Sequence, residues 1–198
     1  MASLACGAGR HDRGMPMDSE LAALADPSLD QHFLVSSSKL ARLVSAAGIT
    51  PADHVLELGA GAGTVARMLP PSASLTVVEL DSRLTRLLRR RVPRATVVRG
   101  DALMLVRELP CDVLIGNLPH WVTDRLVDAL PELSFRVAVL AVGERTDLGR
   151  LRGSFELVEV CSVTGDDFLP PQPEVSRIFR IEPIGSLRSD REARVPRR

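Results

Sequence analysis

The stretch His54-Val55-Leu56-Glu57-Leu58-Gly59-Ala60-Gly61-Ala62-Gly63 decides the fold class of this chain. A short apolar run leads directly into a turn that has a glycine at every second position. Glycine lets the backbone approach a ligand closely, and the start of a following helix presents free N–H groups. The stretch therefore predicts a β-strand, a ligand-binding turn and a helix over about residues 64–69. A tight turn that holds no ligand is the alternative.

The chain after this turn repeats the order of strand, turn and helix. Further apolar runs predict strands over residues 75–79, 95–98, 112–116 and 136–142. One intervening helix carries Leu84, Leu87 and Leu88 on one face, and another spans about residues 123–130. Strands that alternate with helices indicate parallel βαβ units, and uninterrupted apolar strands fit a sheet that is covered on both faces.

The end of the chain follows a different pattern. Residues 155–163 and 175–181 both read as strands, and the segment between them is too short for a helix, so the two strands should be antiparallel. A parallel sheet with an antiparallel C-terminal hairpin is typical of Rossmann-like methyltransferases. We therefore predict an α/β, Rossmann-like class I methyltransferase fold with a mostly parallel seven-stranded sheet over residues 28–183. A flexible lead-in over 1–27 and a basic tail over 184–198 would flank it.

Composition excludes several classes of function. The 198 residues include 25 basic and 25 acidic side chains, so the net charge of zero does not indicate a nucleic-acid binder by itself. No run of 18 apolar residues occurs, so we expect no membrane-spanning helix. Three scattered cysteines and four histidines show neither disulfide nor metal-ligand spacing. We expect a cytoplasmic protein without a metal.

Two acidic residues end predicted strands beside the glycine turn. Glu79 lies about 20 residues past the turn, where a carboxylate accepts hydrogen bonds from ribose hydroxyls. The spacing Gly59-x-Gly61-x-Gly63 differs from the dinucleotide pattern G-x-G-x-x-G, which favours S-adenosylmethionine, a ligand without a pyrophosphate. Asp101 would accept from an adenine amino group or would cap the next helix, and both interpretations stay open.

The stretch Gly116-Asn117-Leu118-Pro119-His120-Trp121 follows the fourth predicted strand and is the most specific signal. The Asn117 side-chain oxygen and the Leu118 carbonyl would both accept hydrogen bonds from the amine of a planar base and hold it in line with a methyl donor. Pro119 offers no competing donor, and an aromatic after it would stack on the base. The alternative is an ordinary proline turn with Trp121 packed in the core.

Together these elements resemble the ribosomal RNA adenine N6-dimethyltransferase family, which includes KsgA-type small-subunit enzymes and Erm-type macrolide-resistance enzymes. The similarity runs in order from about Asp30 to Pro183, through segments at 31–34, 57–63, 78–81, 100–102, 116–119 and 168–175. The resemblance implies S-adenosylmethionine bound by Gln31, His32, Leu34, Glu57, Gly59, Gly61, Glu79, Leu80, Asp101, Ala102 and Asn117. It implies catalysis by Asn117, Leu118, Pro119 and His120, and base stacking by His120, Trp121 and Phe168. Ribosomal RNA or a ribosomal subunit would be the partner.

The sequence departs from that family in four places. His120 replaces a tyrosine or phenylalanine, and His32 replaces an asparagine. Only about a dozen residues, 143–154, separate the fifth and sixth strands, where the family has a fuller helix. The similarity ends soon after the last strand, so we expect a truncated member without the C-terminal helical domain. Two alternatives therefore stay open: a small-molecule methyltransferase of secondary metabolism, and a catalytically degenerate member that binds RNA or ribosomes. The oligomeric state is open.

Overall fold

The computed structural model describes residues 21–26 and 31–185. Its strands are β1 (Phe33–Leu34), β2 (His54–Leu58), β3 (Ser74–Glu79), β4 (Thr96–Arg99), β5 (Val113–Gly116), β6 (Val137–Gly143), β7 (Phe155–Val163), β8 (Phe168–Leu169) and β9 (Ser176–Pro183). Its α-helices are α1 (Ser37–Ala47), α2 (Ser82–Arg91), α3 (Ala102–Leu105) and α4 (His120–Ala129). Short 3₁₀ turns lie at Ala66–Met68, Leu130–Glu132, Gly149–Leu151 and Gly165–Asp167.

Seven of these strands form one sheet in the order β4-β3-β2-β5-β6-β9-β7. Strands β2 to β6 run parallel to one another, whereas β9 runs antiparallel to both β6 and β7. The central strand β2 pairs in register with both neighbours, since Val55 lies opposite Leu75 and Val113. This topology matches the mostly parallel sheet and the antiparallel C-terminal hairpin that the sequence predicts.

The sheet is buried on both faces, as the uninterrupted apolar strands predict. Alternate residues of a strand point to opposite faces. On β2, Val55 belongs to one buried cluster, whereas Leu56 and Leu58 belong to the other. Helix α2 covers one face with the predicted buried leucines 84, 87 and 88. It begins after Asp81, whose Oδ1 accepts a hydrogen bond from the Arg83 backbone N–H at 2.7 Å.

The prediction of a helix over residues 64–69 is wrong, because only a single 3₁₀ turn forms at Ala66–Met68. Gly63 stands before it with φ +79°, and Pro70 follows it without a backbone donor. The segment between them is shorter than two α-helical turns and cannot gain enough hydrogen bonds to offset nucleation. The Arg94 guanidinium instead donates to the carbonyls of Ala66, Leu69 and Pro70.

Two further features differ from the prediction. The first is a small antiparallel pair of β1 and β8, which joins the chain before α1 to the segment before β9. The second is that residues 21–24, inside the predicted flexible lead-in, are helical, and Leu21 is buried against a cluster that includes Phe33 and Leu84. The rest of the predicted lead-in before residue 21, and the tail from 186 onward, lie outside the described residues. Among the described helices, none combines the length and apolar character needed to cross a membrane.

Candidate active site

A cavity of about 650 Å³ opens at the carboxyl ends of β2, β3, β4 and β5. Ligands of open α/β sheets bind at this edge, and the volume is that of a small-molecule site. Most residues proposed from the sequence line this cavity, namely Gln31, His32, Glu57, Gly59, Gly61, Glu79, Leu80, Asp101, Ala102, Asn117, Leu118, Pro119 and Trp121. Strands that are distant in the sequence thus bring the predicted cofactor and catalytic residues together.

Three predicted site residues do not line the cavity. Leu34 and Phe168 lie opposite each other in the β1–β8 pair, and both are buried in the core, where apolar side chains leave water. The His120 ring hydrogen-bonds to Glu174 and Ser176 instead of facing the cavity. Leu34, His120 and Phe168 are therefore not part of the cavity lining, and their predicted roles beside the cofactor and the base stay predictions.

The glycine turn holds three residues, Gly59, Gly61 and Gly63, in conformations that other side chains rarely adopt. Gly59 has φ +65° and Gly61 has φ +55°. A Cβ on Gly59 would lie 2.3 Å from Leu118 Cδ2, and one on Gly61 would lie 2.9 Å from Phe33 Cε1. The turn therefore needs glycine for its backbone shape and also for the close approach of two neighbouring segments.

Glu79 ends β3 and fixes the turn through its carboxylate. Oε2 accepts from the Gly61 N–H at 2.8 Å and Oε1 from the Asp81 N–H at 2.9 Å. Burial raises the pKa of Glu79, although backbone hydrogen bonds partly oppose this. A carboxylate has about four acceptor positions, so the two backbone bonds leave capacity for ligand hydroxyls on the cavity side.

Glu57, at the end of β2, is the most unusual ionisable group of the site. Its Oε2 is buried and has no hydrogen-bond partner among the described residues. Burial first, and the nearby Glu79 charge second, raise the pKa of Glu57 to about 8. A protonated Glu57 at neutral pH presents an O–H donor on the cavity wall. Because a buried charge without a partner is costly, the protonated form is the one that this position favours.

Two aspartates at the rim each cap a helix. Asp101 Oδ1 accepts from the Leu103 N–H at 2.7 Å, which is the N-cap role considered for it; its adenine contact stays a prediction. The hydrogen bond from the Arg83 side chain lowers the pKa of Asp81 to about 2. Gln31 Nε2 also donates to Asp81, at 3.3 Å. A fixed negative charge therefore stands beside Glu79 at the cavity.

The predicted catalytic loop connects β5 to α4, which begins at His120 rather than near residue 123. The Asn117 side chain has no hydrogen bond to another residue of the described parts, and it lines the cavity. The Leu118 carbonyl accepts from Thr123 Oγ1 at 3.3 Å. Thr123 is buried and so holds this carbonyl from the side of the helix.

Trp121 is 61% exposed and stands at the cavity wall. The Arg125 guanidinium lies 5.8 Å from the centre of its ring, within the range of a cation–π contact. The alternative that Trp121 packs in the core is therefore wrong.

Polar residues that line the cavity and that sequence reasoning missed include Thr64 and Arg99. Thr64 follows the glycine turn, and Arg99 ends β4 just before Gly100. The rule that ligands bind beyond the carboxyl ends of parallel strands would have indicated both. Among the described residues, no group of three or more histidine, cysteine or acidic side chains could hold a metal ion.

Comparison with known proteins identifies the family of this chain. Residues 23–164 match the family described as ribosomal RNA adenine dimethylase. The chain belongs to this family. A relative from Parasynechococcus marenigrum, named ribosomal RNA small subunit methyltransferase A, is 33% identical over 185 residues, which cover 78% of this chain and 61% of the relative. The chain spans about half the length of the curated relatives it matches.

Solved structures share the fold of this dimethylase-family chain. A dimethyladenosine transferase from Plasmodium falciparum superposes with a TM-score of 0.72 at 25% identity, over 81% of this chain and 67% of the other. The 23S rRNA methyltransferase ErmE gives a TM-score of 0.70 at 26% identity, over 77% of this chain and 70% of the other. The predicted Rossmann-like methyltransferase fold and the predicted family are both confirmed.

Proposed function

We propose that this protein transfers a methyl group from S-adenosylmethionine to the N6 amine of adenine in ribosomal RNA. The observation that carries the proposal is that Asn117 lines the same cavity as the glycine turn and Glu79. One cavity thus joins acceptors suited to a nucleoside with an amide suited to an amine substrate. Membership of the ribosomal RNA adenine dimethylase family supports the same reaction.

The cavity residues fit S-adenosylmethionine. The volume of about 650 Å³ suits a ligand of this size, and Gly59 and Gly61 both line the cavity. Glu79 and Asp101, which both line the cavity, would supply acceptors for ribose hydroxyls and an adenine amine. When bound, S-adenosylmethionine supplies a methyl group on a positively charged sulfur, so no covalent enzyme intermediate is needed.

Asn117 and Leu118 act on the amine. The lone pair of an adenine amine is delocalised into the ring, which makes the nitrogen a weak nucleophile. Two acceptors, Asn117 Oδ1 and the Leu118 carbonyl, would hold the N–H groups and stabilise the positive charge that develops on nitrogen. The Leu118 carbonyl has two lone pairs, and Thr123 Oγ1 uses only one of them.

Trp121 supplies the stacking surface for the base. Its exposed ring is part of the cavity wall, and the Arg125 cation beside it fits the negative charge of a nucleic-acid backbone. Removing an adenine from its stack costs a few kcal/mol, which an aromatic platform offsets. The stacking roles that the sequence also implied for His120 and Phe168 would need both rings to leave their present contacts.

Small-subunit ribosomal RNA is the first substrate to test, because the curated relatives are named ribosomal RNA small subunit methyltransferase A. Because ErmE is a 23S rRNA methyltransferase, 23S RNA is the second substrate to test. We place the reaction in the cytoplasm, where a reducing environment suits the free thiols of Cys111 and Cys161. Membership of the family does not support the alternative of a small-molecule methyltransferase. A degenerate protein that only binds RNA would not need a glycine turn held by the hydrogen bond from the Gly61 N–H to Glu79.

The test is methyl transfer from labelled S-adenosylmethionine to small ribosomal subunits, large subunits and protein-free RNA. Nuclease digestion should release label as N6-methylated adenosine. The Asn117→Ala variant should lower kcat at least about 100-fold and change the cofactor Kd by less than about threefold, because it removes an acceptor used in the transition state. Calorimetry measures the Kd.

The Asn117→Gln variant is the matched comparison, since it keeps the amide and displaces it by one methylene. It should also lose most activity if the position of the oxygen matters. Equal loss of cofactor binding and of transfer in Asn117→Ala would contradict the assigned role. Cofactor binding without label in any RNA would favour a small-molecule acceptor.

A further inference from the structure

His120 stands directly after the catalytic loop, and both of its ring nitrogens are hydrogen-bonded. Nδ1 lies 2.6 Å from Glu174 Oε2, and Nε2 lies 2.8 Å from Ser176 Oγ. Gln172 extends the network, because its Nε2 donates to Ser176 Oγ at 3.1 Å and to the Glu174 carbonyl at 2.9 Å. We call His120, Glu174 and Ser176 the His120 clasp.

The partners of the clasp are compatible with one complete set of hydrogen bonds for a neutral imidazole. A carboxylate only accepts, so Nδ1 donates to Glu174. With Nδ1 protonated, neutral imidazole accepts at Nε2, and the Ser176 hydroxyl donates to it. The Ser176 oxygen then accepts from Gln172. Every donor of the network has an acceptor in this arrangement, so the ring is held in one orientation.

The clasp lies against the ends of two strands. Gly143 ends β6 and pairs with Ser176 at the start of β9. A Cβ on Gly143 would lie 3.0 Å from His120 Cγ and Nδ1, so the imidazole packs directly on this strand end. Ser176 is only 2% exposed. The clasp therefore connects the first residue of α4 to the end of β6 and the start of β9.

The order of atoms is that of a serine–histidine–acid triad, yet nucleophilic catalysis does not fit the site. Ser176 is buried, and none of the three residues lines the cavity at the sheet edge. A nucleophile must reach its substrate. The network is therefore suited to holding the His120 ring in place and not to nucleophilic attack on a substrate.

The position of the His120 clasp explains why the neighbouring Trp121 is exposed. Successive residues of an α-helix project about 100° apart. With His120 held against β6 and β9, Trp121 faces the cavity. The residues before His120 are Asn117, Leu118 and Pro119, so the same clasp anchors one end of the catalytic loop.

We propose that His120 is a positioning residue, and that the His120 clasp sets the place of Asn117 and Trp121 relative to the cavity. The inference rests on the proposed function for its kinetic consequence. Its structural consequence is readable without activity, because Trp121 is the only tryptophan of the sequence and reports on this site by fluorescence.

The experiment compares Glu174→Ala in the full chain with the same change in a His120→Phe background. Glu174→Ala removes the acceptor of His120 Nδ1 and should lower kcat about 10-fold while the cofactor Kd changes less than about twofold, because the loop is displaced by a fraction of an ångström. Acrylamide quenching of Trp121 should change as well. In the His120→Phe background, which has no clasp, Glu174→Ala should have no further effect on either quantity.

The control is Glu132→Ala, which removes another exposed carboxylate, paired with Arg107 away from this cavity. It should leave kcat and quenching unchanged. Ser176→Ala breaks the other side of the clasp and should repeat the effect of Glu174→Ala. An equal effect of Glu174→Ala with and without His120 would overturn the proposal, as would unchanged kcat and quenching. If the wild-type protein methylates no RNA, the proposed function fails, and the quenching comparison alone decides whether the clasp positions Trp121.

Discussion

Leu118 occupies the space in which a side chain at Gly59 would lie. A Cβ on Gly59 would be 2.3 Å from Leu118 Cδ2, and the φ of Gly59 is +65°. The cofactor turn after β2 and the catalytic loop after β5 are therefore in direct contact. A change on either side of this contact should affect both cofactor binding and methyl transfer.

Gly59→Ala should lower the free energy of unfolding by about 2–4 kcal/mol, from backbone strain together with overpacking against Leu118. Denaturant unfolding measures this, and calorimetry should show weaker cofactor binding. Gly153→Ala is the matched control, because Gly153 also has positive φ, at +96°, but has no atom within 4 Å of an added Cβ. Equal losses in the two variants would show that the contact with Leu118 contributes nothing.

Glu57→Gln should flatten the pH dependence of stability. The folded-state pKa of Glu57 is about 8, above its ordinary value of 4.5. Its contribution to stability is therefore fully present below pH 4.5 and is lost as pH rises toward 8, by on the order of a few kcal/mol. Unfolding curves of both proteins without cofactor between pH 4 and 9 test this. Parallel curves would contradict the buried, protonated state of Glu57.

Glu79→Gln should weaken cofactor binding at least about 10-fold, because only the amide oxygen can accept, whereas the carboxylate uses both of its oxygens to bind two backbone N–H groups. The turn at Gly61 or the backbone at Asp81 must then lose its partner. Calorimetry with S-adenosylmethionine measures the change. Glu108→Gln, an exposed carboxylate away from this cavity, is the control. Unchanged affinity in Glu79→Gln would remove Glu79 from the cofactor site.

Trp121→Ala should raise the KM for RNA about 10-fold, because stacking is worth about 1–3 kcal/mol per base. Trp121→Phe should retain most of the activity, since it keeps an aromatic face. The cofactor Kd should stay constant in both variants. Met104→Ala, at another exposed apolar residue, is the control. If Trp121→Ala leaves the RNA kinetics intact, the base stacks elsewhere.

Much of the site was predictable from local sequence. The stretch before the glycine turn, with Val55, Leu56 and Leu58, and the apolar runs after it indicate strands of a parallel sheet, because strands that are buried on both faces are mostly apolar. The rule that ligands bind beyond the carboxyl ends of such strands then places Glu57, Glu79, Asp101 and Asn117 at one edge. These residues lie at the ends of their strands or within two residues after them, so no distant contact is needed to place them.

The sequence by itself therefore determined the order of strands and helices, the glycine turn and the residues at the strand ends, because each depends on neighbours along the chain. Only the tertiary structure decided which side chains face the cavity. Leu34 and Phe168 meet in the core through the β1–β8 pair, and His120 finds Ser176 through the register of β6 with β9. Such partners lie more than 50 residues apart, and strand register, which local periodicity does not specify, brings them together.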